Sequence, residues 1–280
     1  MKNWLLRTAT GLVYIAFIVC GVMLQSPAMW IMIFLLALGA TSEFHRLAAK
    51  LGAAENPMIL FYDTLGVLIA ALLPSAAGSV SALSSMALFI VLYLVSRPVI
   101  SLYVHDMKVS LRGLAFAMLG LLYIGLPLAM MGWIGLMGNG HGRWILLGMF
   151  ILIWVNDTGA FVIGSMMGSK KLFERLSPKK SWEGFIGGLV FAVIGGVVYY
   201  YCAHVHLPET VSVVEMGIYG ALVSIASTWG DLFESMLKRA AGVKDSGSLL
   251  PGHGGVLDRI DSLLLVLPVT FVFMSVAIAF

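Results

Sequence analysis

The chain has 280 residues, of which 60% are hydrophobic and 11% charged, with a mean hydropathy of +0.98 and a formal net charge of +3. A soluble domain is about one quarter charged, so this composition excludes an ordinary globular enzyme and leaves no length for a sizeable soluble domain. Cys20 and Cys202 lie in apolar runs and suggest neither a disulfide framework nor a thiolate metal site, while short basic loops between apolar runs exclude a nucleic-acid-binding face.

A spanning helix needs roughly 20 apolar residues. Breaks in hydropathy predict nine spans, at about residues 4–24, 28–44, 58–73, 82–104, 113–137, 144–167, 184–204, 213–236 and 261–280. The second and third are short and the break before residue 28 is weak, so eight is the alternative count. Lys2 and Arg7 ahead of the first run mimic a signal peptide. Pro27 and Ala28 make a poor cleavage site, and the run is long enough to span, so it reads as an uncleaved helix. The seventh span carries Gly184, Gly188, Ala192 and Gly196 at four-residue spacing, which predicts a close helix–helix interface.

Cytoplasmic loops concentrate lysine and arginine. Counted alternately, the loops place all 17 of these residues except Arg143 on one side, with Arg97 grouped beside Lys108 and Arg112; a position for Arg97 slightly inside its span leaves the parity unchanged. The expected orientation has the N-terminus in the cytoplasm and the C-terminus outside.

A carboxylate within a span costs about 2.5–3.5 kcal/mol on insertion scales, so it faces a cavity or a partner. Asp157 lies in the sixth span in WVNDTGA, Asp231 and Glu234 near the end of the eighth in WGDLFES, and Asp258 and Asp261 open the ninth in LDRID. At 3.6 residues per turn, Asp231, Glu234, Ser235 and Lys238 share one face, as do Asp258, Asp261 and Ser262. If these two helices are neighbours, Asp231 and Asp258 converge on one site suited to a hard divalent cation such as Mg²⁺, which takes few carboxylates and binds substrate phosphates. Structural roles compete with that reading. Asp258 could be an N-cap with Asp261 in the first turn, Asp231 could pair with Lys238, and Asp157 could be a buried hydrogen-bonding group.

Two loops on the expected cytoplasmic side carry the remaining chemistry. Residues 168–184 read GSKKLFERLSPKKSWEG, and residues 238–259 read KRAAGVKDSGSLLPGHGGVLDR. Gly252, Gly254 and Gly255 permit close backbone approach, and lysine and arginine neutralise phosphate oxygens. Lys170, Lys171 and Arg175 read first as topology signals, whereas Lys179 and Lys180, beside Pro178 and the helix-capping Ser181, are candidate phosphate ligands. His253 is a candidate phosphate or backbone contact. No P-loop, HExxH or GxSxG motif occurs, and GNGHG at 138–142 reads as a turn.

Ser235, Lys238, Arg239, Lys244, Asp245, Pro251, His253, Gly254, Gly255, Asp258, Arg259 and Asp261 resemble the C-terminal signature of the phosphatidate cytidylyltransferases, or CDP-diacylglycerol synthases. GDLFES, SPKKSWEG and NDTGA are similar to other segments of that family. The resemblance is strong over residues 150–262 and rests on hydrophobic spans alone before residue 140. It implies an all-α integral membrane protein of about nine transmembrane helices, with the polar site at the cytoplasmic ends of the C-terminal helices. Residues 1–140 would form N-terminal spans, and 141–280 a catalytic membrane region with its signature at 231–262. The implied reaction joins CTP and phosphatidate to give CDP-diacylglycerol and pyrophosphate in phospholipid biosynthesis. It implies Mg²⁺ with Mn²⁺ as a substitute, K⁺ as a monovalent cofactor, a homodimer, and a place in the cell inner membrane with the site facing the cytoplasm.

By the same resemblance, Asp231 and Asp258 are the metal-binding aspartates and Asp261 a further acid. The residue chemistry adds Lys238, Arg239, Lys244 and Arg259 as phosphate clamps, faced by Lys179, Lys180 and Ser181. Asp157, Ser235, His253, Gly254 and Gly255 complete the expected substrate site. Two other classes share some features: an ion-coupled transporter, which would place its acids near the midplane, and a CTP-dependent lipid kinase, which would transfer the γ-phosphoryl group.

Overall fold

The structure, a computed structural model, describes residues 2–24, 26–53, 56–249 and 254–279. Its helices are α1 (Lys2–Met23), α2 (Ala28–Lys50), α3 (Pro57–Leu72), α4 (Val80–Ser101), α5 (Met107–Gly120), α6 (Leu126–Leu136), α7 (His141–Met167), α8 (Trp182–Ala203), α9 (Val213–Ala240) and α10 (Leu257–Ala279). A π-helical turn over Leu121–Gly125 joins α5 and α6 into one rod. Among the described residues, eight helical segments are long and apolar enough to cross a membrane, and α1 adds a shorter apolar stretch, Thr10–Met23. The protein is an all-α integral membrane protein, as expected. Exposed Leu88, Val91, Leu92 and Val95 on α4 are side chains that only a hydrocarbon surrounding solvates at no cost.

Local chemistry explains the helix ends. Asn56 caps α3 ahead of Pro57, and Asp106 accepts from the amides of Lys108 and Val109 to start α5. Ser212 and Glu215 form a reciprocal capping box at α9. That helix ends at Gly242, whose φ of 69° permits the amides of Gly242 and Val243 to reach the carbonyls of Arg239 and Lys238. The helix therefore runs to Ala240, beyond the expected 236, and α10 starts at Leu257, ahead of the expected 261. Asp258 is thus a residue of the first turn and not the cap.

The chain forms two compact units: Met1–Gly132 with Leu237–Arg259, and Trp133–Met236 with Ile260–Phe280. Residues 237–259 group with the helices of the first unit. The first unit packs Phe44 of α2 against Phe116 and Tyr123, with ring centroids 5.8 and 6.4 Å away. It also contains a charged core. Arg97 and Asp63 are buried and form a two-pronged pair, with Nε to Oδ1 at 2.8 Å and Nη2 to Oδ2 at 3.2 Å. Arg97 therefore lies inside the fourth span, within the 82–104 stretch, and is not a basic-loop residue.

In the second unit, the small residues of α8 do what their spacing predicts. A Cβ on Gly184 would meet the Ala160 carbonyl of α7 at 2.9 Å, and one on Gly188 would meet Asn156 at 2.7 Å. Toward its other end the stripe turns to α9, where a Cβ on Gly196 would strike the Met216 carbonyl. Gly196→Ala is therefore expected to lower stability by about 1–3 kcal/mol through forced separation of α8 and α9. Gly217→Ala, whose Cβ meets side chains only at 3.6 Å and beyond, should be near neutral. Thermal midpoints in detergent compare the two. The basic loop after α7 is more ordered than expected: β1 (Lys171–Phe173) and β2 (Ser177–Ser181) pair antiparallel as a small hairpin.

Candidate active site

The hairpin, α7, α8 and α9 of the second unit surround a cavity of about 520 Å³. Its polar wall carries Asp157, Lys179, Lys180, Ser181, Thr228 and Asp231, and its apolar wall includes Ala160, Phe161 and Phe185. Asp157, Lys180, Ser181 and Asp231 have identifiable supports. Asn156, buried between α7 and α9, accepts from Ser224 Oγ at 2.6 Å and donates to Asp157 at 3.3 Å. Ser181 ends β2 and caps α8 by accepting from the Gly184 amide at 3.1 Å. Glu183, in the first turn of α8, accepts from the amides of Ser169 and Lys170 and so ties down the start of the hairpin. This places Lys180 Nζ 2.5 Å from Asp231 Oδ2, while Ser235 Oγ donates to Asp231 Oδ1 at 3.3 Å.

In this unit α9 and α10 are in contact. A Cβ on Gly230 would meet the Asp261 carbonyl at 2.7 Å, and Ser262 Oγ donates to the Ser227 carbonyl at 3.2 Å. Glycine at 230 thus brings the backbones beside Asp231 and Asp261 close together. The Asp261 carboxylate accepts from the Ser262 amide at 2.6 Å.

A second polar cluster lies in the first unit. Lys238 Nζ donates to Asp258 Oδ1 at 2.6 Å, and the amides of Ser246 and Gly255 donate to Asp258 Oδ2 at 3.0 and 2.8 Å. Arg239 donates to the Val243 carbonyl at 3.1 Å. Lys244 and Arg259 have exposed side chains, and the Arg259 carbonyl accepts from Tyr14 of α1. Gly254 has a φ of 82°, in the region that favours glycine, as the sequence suggests. Gly255 has a different reason to lack a side chain: a Cβ there would collide with the carboxylate of Glu43. His253 and Gly252 lie outside the described residues.

The structure therefore joins Asp157, Lys179, Lys180, Ser181 and Asp231 around one cavity, with Ser235 bonded to Asp231, and it pairs Lys238 with Asp258. The partner of Asp231 is Lys180, and Lys238 is paired with Asp258. Sequence reasoning missed Glu43, which is fully buried on α2 and accepts from the amides of Val256 and Leu257 and from Ser246 Oγ. The signal was available: a carboxylate in an apolar run, the same anomaly that marked Asp157.

The cavity fits a hard cation. Asp157, Asp231, the Asn156 amide and hydroxyls supply oxygen donors, and Lys179 and Lys180 line the same cavity. Among the described residues no three His, Cys, Asp or Glu side chains gather as a closed cage. Such a partial shell suits Mg²⁺, which keeps waters and takes further oxygens from phosphate.

Apolar spans together with a cavity lined by carboxylates and lysines define a membrane protein with an internal polar site. The chain matches the cytidylyltransferase family over residues 5–277 and belongs to it, as a nucleotidyltransferase. It is similar to the phosphatidate cytidylyltransferase of Staphylococcus haemolyticus, 32% identical over 94% of this chain and 95% of the relative. That of Staphylococcus saprophyticus is 36% identical over 74% and 75%. A stretch of 133 residues, 46% of this chain, is 47% identical to the Haemophilus influenzae phosphatidate cytidylyltransferase and spans 44% of that relative's length.

Proposed function

We propose that the protein transfers the cytidylyl group of CTP to phosphatidate, giving CDP-diacylglycerol and pyrophosphate. Family membership and the names of the relatives support the reaction. The observation that supports this reading is a cavity lined by lysines and carboxylates together with apolar residues, since the reaction joins a water-soluble anion to a lipid anion.

The chemistry asks little of the protein in covalent terms. A phosphatidate oxygen attacks the α-phosphorus of CTP and pyrophosphate departs. The monoester is largely ionised at neutral pH, with a second pKa of about 6, so no dedicated base is needed. The protein must align two anions and neutralise the leaving group. Asp231, on the cavity wall with Asp157, would hold Mg²⁺, and Asp258 and Asp261 are the further acids that the family resemblance assigns to the cation. Bound there, Mg²⁺ supplies charge neutralisation on the triphosphate.

Each of the two aspartates is paired with a lysine, Asp231 with Lys180 and Asp258 with Lys238. Arriving phosphates would draw the lysines away and free carboxylate oxygens for the cation. Lys179, Arg239, Lys244 and Arg259 would hold further phosphate oxygens, and acyl chains would lie along Phe161 and Phe185. Mn²⁺ would substitute for Mg²⁺, K⁺ would serve as the monovalent cation, and the enzyme would work as a homodimer. The basic loops favour a cytoplasmic N-terminus and a site facing the cytoplasm in the inner membrane.

The test uses purified protein, phosphatidate and CTP labelled at the α- or γ-phosphate. Label from the α position is expected in the lipid product, with pyrophosphate released. Transfer of γ-label instead would assign a lipid kinase, and no transfer of either would remove the enzymatic reading.

A further inference from the structure

We infer that Glu43 of α2 is a positioning residue for Asp258, acting through the loop between α9 and α10; this rests on the proposed use of Asp258 at the CTP phosphates. The side chain is fully buried, yet its carboxylate lies in a dense set of donors. Oε1 accepts from the Val256 amide at 3.0 Å, and Oε2 accepts from the Leu257 amide at 2.9 Å and from Ser246 Oγ at 2.8 Å. Arg46 Nη2 approaches Oε1 at 3.6 Å. The Leu257 amide is the first of α10 and the Val256 amide precedes it, so a carboxylate from a different helix accepts from donors at the start of α10.

The same short segments hold Asp258. Ser246 uses its hydroxyl on Glu43 and its amide on Asp258. At the next strand of chain, the Gly255 amide donates to Asp258 while those of Val256 and Leu257 donate to Glu43. Two carboxylates thus share one backbone scaffold, and moving one moves the other. Gly247 and Gly255 fit the same account, because a Cβ at either position would collide with the Glu43 carboxylate. An apolar residue at 43 would pack in the helix interior at no desolvation cost. A buried carboxylate costs several kcal/mol before its bonds are made, so its use here is explained by the geometry it imposes.

The experiment compares wild type with Glu43→Gln, Ser246→Ala and the double variant, all as full chains in detergent with phosphatidate. Wild-type formation of CDP-diacylglycerol is established first, so that absence of the reaction itself is seen separately from failure of the inference. Glu43→Gln keeps size but places an amide donor against backbone donors. It is expected to lower kcat/KM for CTP by about 10-fold or more while the KM for phosphatidate stays within about twofold. Ser246→Ala is expected to act in the same direction and less strongly, and the double variant should lose less than the product of the two single effects. Glu43→Asp should recover part of the CTP dependence. The inference is overturned by equal losses toward both substrates, by multiplicative effects in the double variant, or by a loss explained entirely by a smaller folded fraction in size-exclusion chromatography.

Discussion

Asp231→Asn is expected to reduce cytidylyl transfer by about 10²–10³-fold while leaving the folded protein intact. Asparagine preserves shape and removes the charge. The Asp231 side chain is 36% exposed and its partner Lys180 26% exposed, so loss of the pair costs at most about 1 kcal/mol of stability. The kinetic signature follows from the exchange proposed above. Lys180, freed from Asp231, remains available to CTP phosphate, so KM for CTP should stay level or fall while kcat collapses. Titrating Mg²⁺ at saturating CTP checks the assignment: the variant should need more cation and never reach wild-type turnover. Near-normal turnover at limiting Mg²⁺ would remove Asp231 from the cation site. Lys180→Met supplies the reciprocal case, with a raised KM for CTP as the main effect.

The spans were legible because hydropathy is a property of each segment by itself, and a bilayer imposes one length on all of them. The α8 interface was legible for a related reason: small residues at four-residue spacing mark a helix face whichever helix covers it. Partner choice was not. Nothing local in GDLFES tells Asp231 to meet Lys180 on a hairpin, and the strands of that hairpin, three and five residues long, are too short for an alternation to stand out. Glu43 and Ser246 are separated by 203 positions, and only the fold joins them. Glu43 and Asp63 could nevertheless have been singled out. The rule that a carboxylate in a span needs a partner applies to ATSEFHRLAAK and FYDTLGV as it does to WVNDTGA.

Asp63→Asn is expected to have the largest effect on stability, about 3–5 kcal/mol, because it leaves Arg97 as an uncompensated buried charge. The carboxylate meets Arg97 at both oxygens and also accepts from Tyr93 Oη at 2.9 Å, while Arg97 Nη1 donates to Ser101 Oγ at 2.8 Å. The bonding set spans α3 and α4, so neutralising its acid loosens both helices at once. Asp63→Leu combined with Arg97→Met removes both charges and should recover most of the loss, since exchanging a buried ion pair for apolar groups of similar volume is often neutral. Thermal midpoints in detergent for wild type, Asp63→Asn and the double replacement decide the matter. A double variant as unstable as Asp63→Asn would mean that the pair contributes more than mutual neutralisation. Equal midpoints for all three would mean that the charges are solvated after all, contrary to their burial.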